Sequence, residues 1–246
     1  MKFVVLTQAR TGSNMLVSML DNHPEIRCRG EVFNPRSAFG YENWQRKTPL
    51  RQIANKYMRD YSVEKYLDSL FLLRPEDNIR AVGFKVIYPG QFDRWSNFRY
   101  YWRTYDFKII SLIRHNLLRK YLSSRIANLE DAWSAQEHRG RSVSVKIDVG
   151  DLKRVIARMD TIYRLIDTLT VEFQGIQVSY EALFSNRESV MGTLFKFLGI
   201  KEFETDGLEP RTVKQNPERL DELIENYDEV CSALHNTQYE WFLEEP

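Results

Sequence analysis

The 246 residues, 43% hydrophobic and 28% charged, carry enough apolar material for a sizeable core in one domain. A formal net charge of +1 argues against nucleic acid as a partner, so any anion site must be local, built from a few placed cations and backbone amides. No stretch approaches the roughly 20 apolar residues of a membrane span, and the opening MKFVVLTQAR runs into Arg10 and Gly12 without a signal-type cleavage region.

In chain order, the compact β-branched run Phe3 to Leu6 predicts a buried strand. After a turn at Thr11-Gly12, Ser13 is expected to cap a helix carrying Met15, Leu16, Met19 and Leu20 on one face, stopped by Pro24. Ala81 to Tyr88 and Lys108 to Ile113 read as further strands, and Leu117 to Ala127 as a helix. A long amphipathic helix follows from Leu152 to Leu169, then a short strand from Ile176 to Ser179. The next helix, through Val190, Leu194 and Phe197, ends at Gly199. Asn216-Pro217 opens a last helix with Leu220, Leu223, Ile224, Tyr227, Val230 and Leu234, an apolar set through which two copies could pair as a homodimer.

Strands separated by helices imply crossover connections, hence a three-layer α/β fold with a central parallel sheet flanked by helices. The whole chain, 1–246, reads as a single domain. Segments 34–80 and 129–150 lack a clean period and are read as lid or acceptor-binding insertions. Cys28 and Cys231, far apart in sequence, do not suggest a disulfide framework, which favours a reducing, cytoplasmic setting. His23, His115, His138 and His235 show no ligand-type spacing, so no metal is expected.

The strongest local feature is Thr7-Gln8-Ala9-Arg10-Thr11-Gly12-Ser13-Asn14, between a strand and a helix. Such a junction leaves backbone N–H groups unpaired at the helix start, where a phosphate can sit. Gly12 lets the backbone approach closely, Arg10 brings a fixed charge, and the hydroxyls of Thr11 and Ser13 can donate to anionic oxygens. By itself the segment is equally an ordinary capped turn. A nucleotide-hydrolysing Walker A loop needs two glycines and a Gly-Lys-Ser/Thr ending, which is missing.

Thr7 to Ser13 resembles the 5′-phosphosulfate loop of the sulfotransferases. Ile109 to Ser123, a strand ending in Arg114 followed by a helix bearing Ser123, is similar to that family's 3′-phosphate motif. Val178-Ser179-Tyr180-Glu181-Ala182-Leu183, Lys214-Gln215-Asn216-Pro217 and Tyr239-Glu240-Trp241-Phe242 are also similar to segments of bacterial carbohydrate-type members, related to the trehalose and nodulation-factor sulfotransferases. The resemblance covers nearly the whole chain. It implies a P-loop-like fold and transfer of a sulfuryl group from 3′-phosphoadenosine 5′-phosphosulfate (PAPS, leaving PAP) to a hydroxyl of a carbohydrate, glycolipid or other small molecule.

Residue by residue, the resemblance implies that Arg10, Thr11, Gly12, Ser13, Asn14, Arg114, Ser123, Tyr180 and Lys214 bind the cofactor. Glu31, in Gly30-Glu31-Val32-Phe33, matches the family's general base. Arg10 stands where many relatives carry lysine and would neutralise the bridging oxygen, and Lys85 is a candidate to approach the sulfuryl group. From Arg114 to Ser123 the spacing is one residue longer than the family's usual one and His115 has the shorter spacing, so either side chain could face the 3′-phosphate. Arg119, Lys120 and Arg125 read as a solvated basic face. Trp44, Arg46, Lys47, Trp95, Trp102 and Trp133 are candidates to stack or steer an acceptor. Two other readings stand beside this one, a nucleotide-dependent kinase and a binding module without catalysis.

Overall fold

The structure, a computed structural model, describes residues 1–34, 49–73, 78–91, 97–130, 143–201 and 219–244. Five strands make one all-parallel sheet: β1 (Lys2–Thr7), β2 (Ile26–Arg29), β3 (Ala81–Ile87), β4 (Lys108–Ile113) and β5 (Ile176–Ser179), in the order β2-β3-β1-β4-β5. The central strand β1 is buried on both sides because its side chains alternate between two cores. Val4 and Leu6 join Phe84, Val86, Ile109 and Ile113 on one face, whereas Phe3 and Val5 join Ile110, Leu112 and Val178 on the other. Gly83 allows this packing, since a Cβ there would stand 2.4 Å from the Phe3 ring.

The helices form the outer layers. α1 (Ser13–Asn22), α7 (Tyr180–Ser185) and α8 (Arg187–Phe197) cover the Phe3 face. The opposite face is covered by α2 (Pro49–Tyr61), α3 (Val63–Phe71), α4 (Phe98–Thr104), α5 (Leu117–Glu130), α6 (Val149–Glu172), α9 (Leu220–Leu223) and α10 (Tyr227–Leu234). Thus β1 feeds a helix on one face while its neighbours β3 and β4 feed helices on the other. Their loops diverge at the carboxyl ends of the strands, and that divergence opens a crevice in which α/β sheets bind ligands.

Several expectations need correction. Ser13 does not cap α1. Gly12 occupies the cap position in the left-handed region (φ 77°), and Ser13 is the first helical residue. Within 34–80, where the sequence lacks a clean period, Pro49–Tyr61 and Val63–Phe71 are helical, and Val63, Tyr66, Leu67 and Leu70 of α3 enter the core. The final helix is interrupted: α9 ends at Leu223 and α10 begins at Tyr227. The break has a cause in pairing with Val145–Ile147. Val145 forms a parallel bridge with Ile224, and the Asn226 amide both accepts from the Ile147 N–H (2.8 Å) and donates to the Ile147 carbonyl (2.9 Å). Leu220, Leu223, Val230 and Leu234 are buried in the chain's own core, so they are not an exposed surface for pairing copies. Trp102 is completely buried in α4 and is a core residue rather than an acceptor contact. Trp44, Arg46, Lys47, Trp95, Trp133, Asn216-Pro217 and Lys214 lie outside the described residues. No described helix is long and apolar enough to cross a membrane.

Candidate active site

The turn between β1 and α1 is held from inside. Thr7 donates its hydroxyl to the Leu112 carbonyl (2.7 Å), and the Thr11 hydroxyl meets Thr7 Oγ1 (2.6 Å) and donates to the Gln8 carbonyl (2.9 Å). Both threonines are fully buried. The Thr11 side chain is therefore committed to the loop, and what it has left for a ligand is backbone. The Ser13 hydroxyl, also buried, has no hydrogen-bond partner among the described residues. Arg10 adopts a left-handed φ of 64°, uncommon for a non-glycine residue.

Arg10 and Arg114 meet in the crevice. Arg114 follows β4, and its Nη1 donates to the Arg10 carbonyl at 3.4 Å. Arg10 Nε donates to Ser123 Oγ on α5 at 2.9 Å. The Arg114 guanidinium lies 4.3 Å from the centroid of the Tyr180 ring, a cation–π contact. That ring packs in turn on Gly12, where a Cβ would come within 2.4 Å of Tyr180 Cδ2. A side chain at position 12 has no room, which together with φ 77° explains the glycine. Arg114 is the side chain turned toward the first loop, whereas His115 is exposed.

The electrostatics follow from burial. Burial lowers the Arg10 pKa and the nearby Arg114 charge lowers it further. The Arg114 pKa is lowered mainly by burial, against the opposing influence of Tyr180, Glu181 and Tyr163. Arg114 Nε is buried with no hydrogen-bond acceptor among the described residues. Glu181 does not supply one, because its carboxylate accepts from the backbone N–H groups of His115 (3.2 Å) and Asn116 (3.1 Å). A buried unmatched donor beside two like charges fits a ligand that carries negative charge.

The second half of the crevice lies on the β2–β3 side. Lys85, opposite Val5 in the sheet, is only 3% exposed, so it is not a surface lysine at a strand end. Its ammonium pairs with Glu31 Oε1 at 3.0 Å and donates to Asn14 Oδ1 on α1. Glu31 Oε2 accepts from Asn34 Nδ2 and from Gln91 Nε2, each at 2.8 Å. Burial would push the Glu31 pKa up. The Lys85 charge and the hydrogen bonds from Lys85, Asn34 and Gln91 outweigh it and hold the carboxyl below the ordinary carboxylate value.

Three residues of this half escaped the sequence reading. Asn34 and Gln91 bind Glu31 directly. Arg59 of α2, fully buried, donates Nη1 to the carbonyls of Asn34 and of Val32 (3.5 Å), and the Tyr66 hydroxyl donates to the same Val32 carbonyl (3.1 Å). Gln91 and Arg59 act across tens of residues, so no local signal points to them, and Asn34, three residues after Glu31, belongs to no recognisable motif. Arg119 and Lys120, read as a solvated face, are buried (8% and 7% exposed), whereas Arg125 is exposed. They point inward because α5 is covered by α6 and by the turn Glu240–Leu243, where Asn116 Nδ2 donates to the Phe242 carbonyl.

No family model matches the chain. Nodulation protein H of Rhizobium tropici is 24% identical to it over 201 residues, covering 80% of this chain and 75% of that protein. Nodulation protein H of Rhizobium meliloti (strain 1021) is 22% identical over 249 residues, covering 98% of this chain and 94% of that protein. Among solved structures, the sulfotransferase domain of the Synechococcus PCC 7002 olefin synthase superposes with a TM-score of 0.53 at 18% identity, over 85% of this chain and 76% of that one. This last likeness is one of fold.

Proposed function

Because the chain belongs to the sulfotransferase family, allied with its carbohydrate and nodulation type, we propose that it moves a sulfuryl group from PAPS to an acceptor hydroxyl, with Glu31 as general base. The observation that carries this reading is the convergence of Arg10 and Arg114, from two strand ends, on one crevice where both side chains are half-buried and depressed in pKa. PAPS supplies an activated sulfuryl group on a phosphate leaving group, and its two anionic ends match what the crevice offers.

The residues divide the work. Arg114 and Ser123 hold the 3′-phosphate from a strand end and a helix, with the orphaned Arg114 Nε as a ready donor. Arg10 and the backbone N–H groups of Thr11, Gly12, Ser13 and Asn14 bind the 5′ end, joined by the uncommitted Ser13 hydroxyl. Tyr180 holds Arg114 over Gly12. Sulfuryl transfer, like phosphoryl transfer, asks the protein for position and charge neutralisation more than for covalent chemistry. Arg10 is suited to neutralising charge on the leaving oxygen but, always protonated, is not suited to act as an acid. Lys85 bridges Asn14 at the anion loop and Glu31, and so couples the two halves of the site. Glu31, ionised at neutral pH, accepts the proton of the acceptor hydroxyl as that oxygen takes the sulfuryl group. The acceptor is a hydroxyl-bearing small molecule or carbohydrate.

Thermal unfolding with PAP, with ATP and without ligand tests the cofactor, because a ligand bound only to the folded state raises the midpoint. A PAP-selective rise is expected. A magnesium-dependent rise with ATP alone would favour the kinase reading. Glu31→Gln tests the base: turnover is expected to fall about 10²- to 10⁴-fold while PAP binding survives. Unchanged turnover removes Glu31 from the mechanism.

A further inference from the structure

Lys120 lies on α5 three residues before Ser123, so the two share one side of the helix. It is 7% exposed, and its ammonium has one hydrogen-bond acceptor among the described residues, the Met159 thioether at 3.3 Å. A thioether is a weak acceptor and leaves two ammonium protons unmatched. Met159 stands one turn before Tyr163 on α6, and Tyr163 holds the Arg114 backbone twice, accepting from its N–H at 3.2 Å and donating to its carbonyl at 2.9 Å. Lys120 is therefore bracketed by Ser123, the partner of Arg10, and by the turn of α6 that fixes Arg114. Burial brings its pKa down to about 8, with the charges of Arg114 and Arg158 adding to the effect. A lysine kept only for packing is more cheaply replaced by methionine or leucine, since an unpaired buried ammonium is costly.

We propose that Lys120 is a third cation of the anion site and binds the phosphate that Arg114 and Ser123 hold. The inference rests on the PAP-binding reading above and assigns a residue to one of its phosphates. Two cations, Arg114 and Lys120, beside the Ser123 hydroxyl match a dianionic phosphate monoester better than a sulfate ester or a carboxylate, which carry a single charge.

Calorimetric titration of the full-length chain with PAP and with AMP, which lacks the 3′-phosphate, provides the test. The wild type is expected to prefer PAP. Lys120→Met is expected to lose about 10- to 100-fold in PAP affinity with little change for AMP, and Lys120→Arg to recover most of the loss. Wild-type PAP affinity is also expected to fall several-fold between about pH 7 and pH 9.5, as Lys120 deprotonates, and this dependence is expected to vanish in Lys120→Arg. Of the groups near Lys120, Arg114 keeps its charge throughout this range, and burial has pushed Tyr163 up to about 12. PAP binding to Lys120→Met within twofold of wild type, or an equal loss for PAP and AMP, overturns the assignment. If Lys120→Met fails to fold, the pH dependence of Lys120→Arg against wild type decides it alone. A wild type that does not distinguish PAP from AMP sinks the reading of the site itself.

Discussion

Glu31 holds its charge against burial because one cation, Lys85, and two further hydrogen-bond donors, Asn34 and Gln91, surround it. Removing the cation should therefore be visible in the pH dependence of the rate. A base works only when ionised, so activity is lost as pH falls through its pKa in the site. In the wild type that limb is expected below the ordinary carboxylate range. In Lys85→Met it should move up by about one to three pH units, as measured in kcat/KM profiles. Gln91→Ala removes one donor and should shift the limb in the same direction by less. At the other end of the crevice, Gly12→Ala meets both a left-handed φ and the Tyr180 ring at 2.4 Å. It should cost about 1–3 kcal/mol of stability in chemical denaturation and weaken PAP binding, because the ring that holds Arg114 must move. Of these residues the sequence exposed Arg10, Gly12, Glu31 and Arg114, each next to a strand end with a recognisable pattern. It did not expose Asn34 or Gln91, whose only distinction is the carboxylate they reach in space.

At the scale of elements, the segment that carries Glu31 is held by α2 through the backbone on either side of Phe33. Arg59 of α2 fixes the carbonyls of Val32 and Asn34, and Phe33 between them anchors in the core against Tyr66, Phe84 and Phe98. Arg59→Met should lower kcat with little effect on PAP affinity, a split that separates it from the cation cluster. The joint between α9 and α10 has a different role. Asn226→Ala leaves the Ile147 N–H and carbonyl without partners, so a loss of about 1–3 kcal/mol in unfolding free energy is expected, with PAP affinity unchanged. That joint also shows why the last helix was misread: the apolar residues kept helical spacing, but an asparagine can satisfy a neighbouring strand-like segment as well as its own helix. β2 went unseen for a related reason. Ile-Arg-Cys-Arg is a four-residue edge strand whose arginines look like loop, and only its pairing with β3 defines it. In α4, Phe98, Tyr101 and Trp102 have helical spacing, but seven residues are too few for periodicity to separate core from surface.

For the whole molecule, strand order decides what the sequence could only suggest. The run of strands and helices made a parallel sheet legible, yet nothing local says that β1 lies between β3 and β4. That order brings the loop of Arg10 beside Arg114 on one flank and beside Lys85 and Glu31 on the other. It also gathers like charge: Arg10, Arg114 and Lys120 are all depressed in pKa by burial and, for the first and last, by one another's neighbour Arg114. The contact between Gly12 and Tyr180 has a consequence for how the protein is made. Residue 12 leaves the ribosome early, but the wall it leans on belongs to the helix after the fifth strand. A growing polypeptide therefore lacks this wall of the crevice until most of it has been synthesised, and if the crevice binds PAP as proposed, immobilised PAP is expected to retain released chains while passing over nascent ones that stop short of Tyr180.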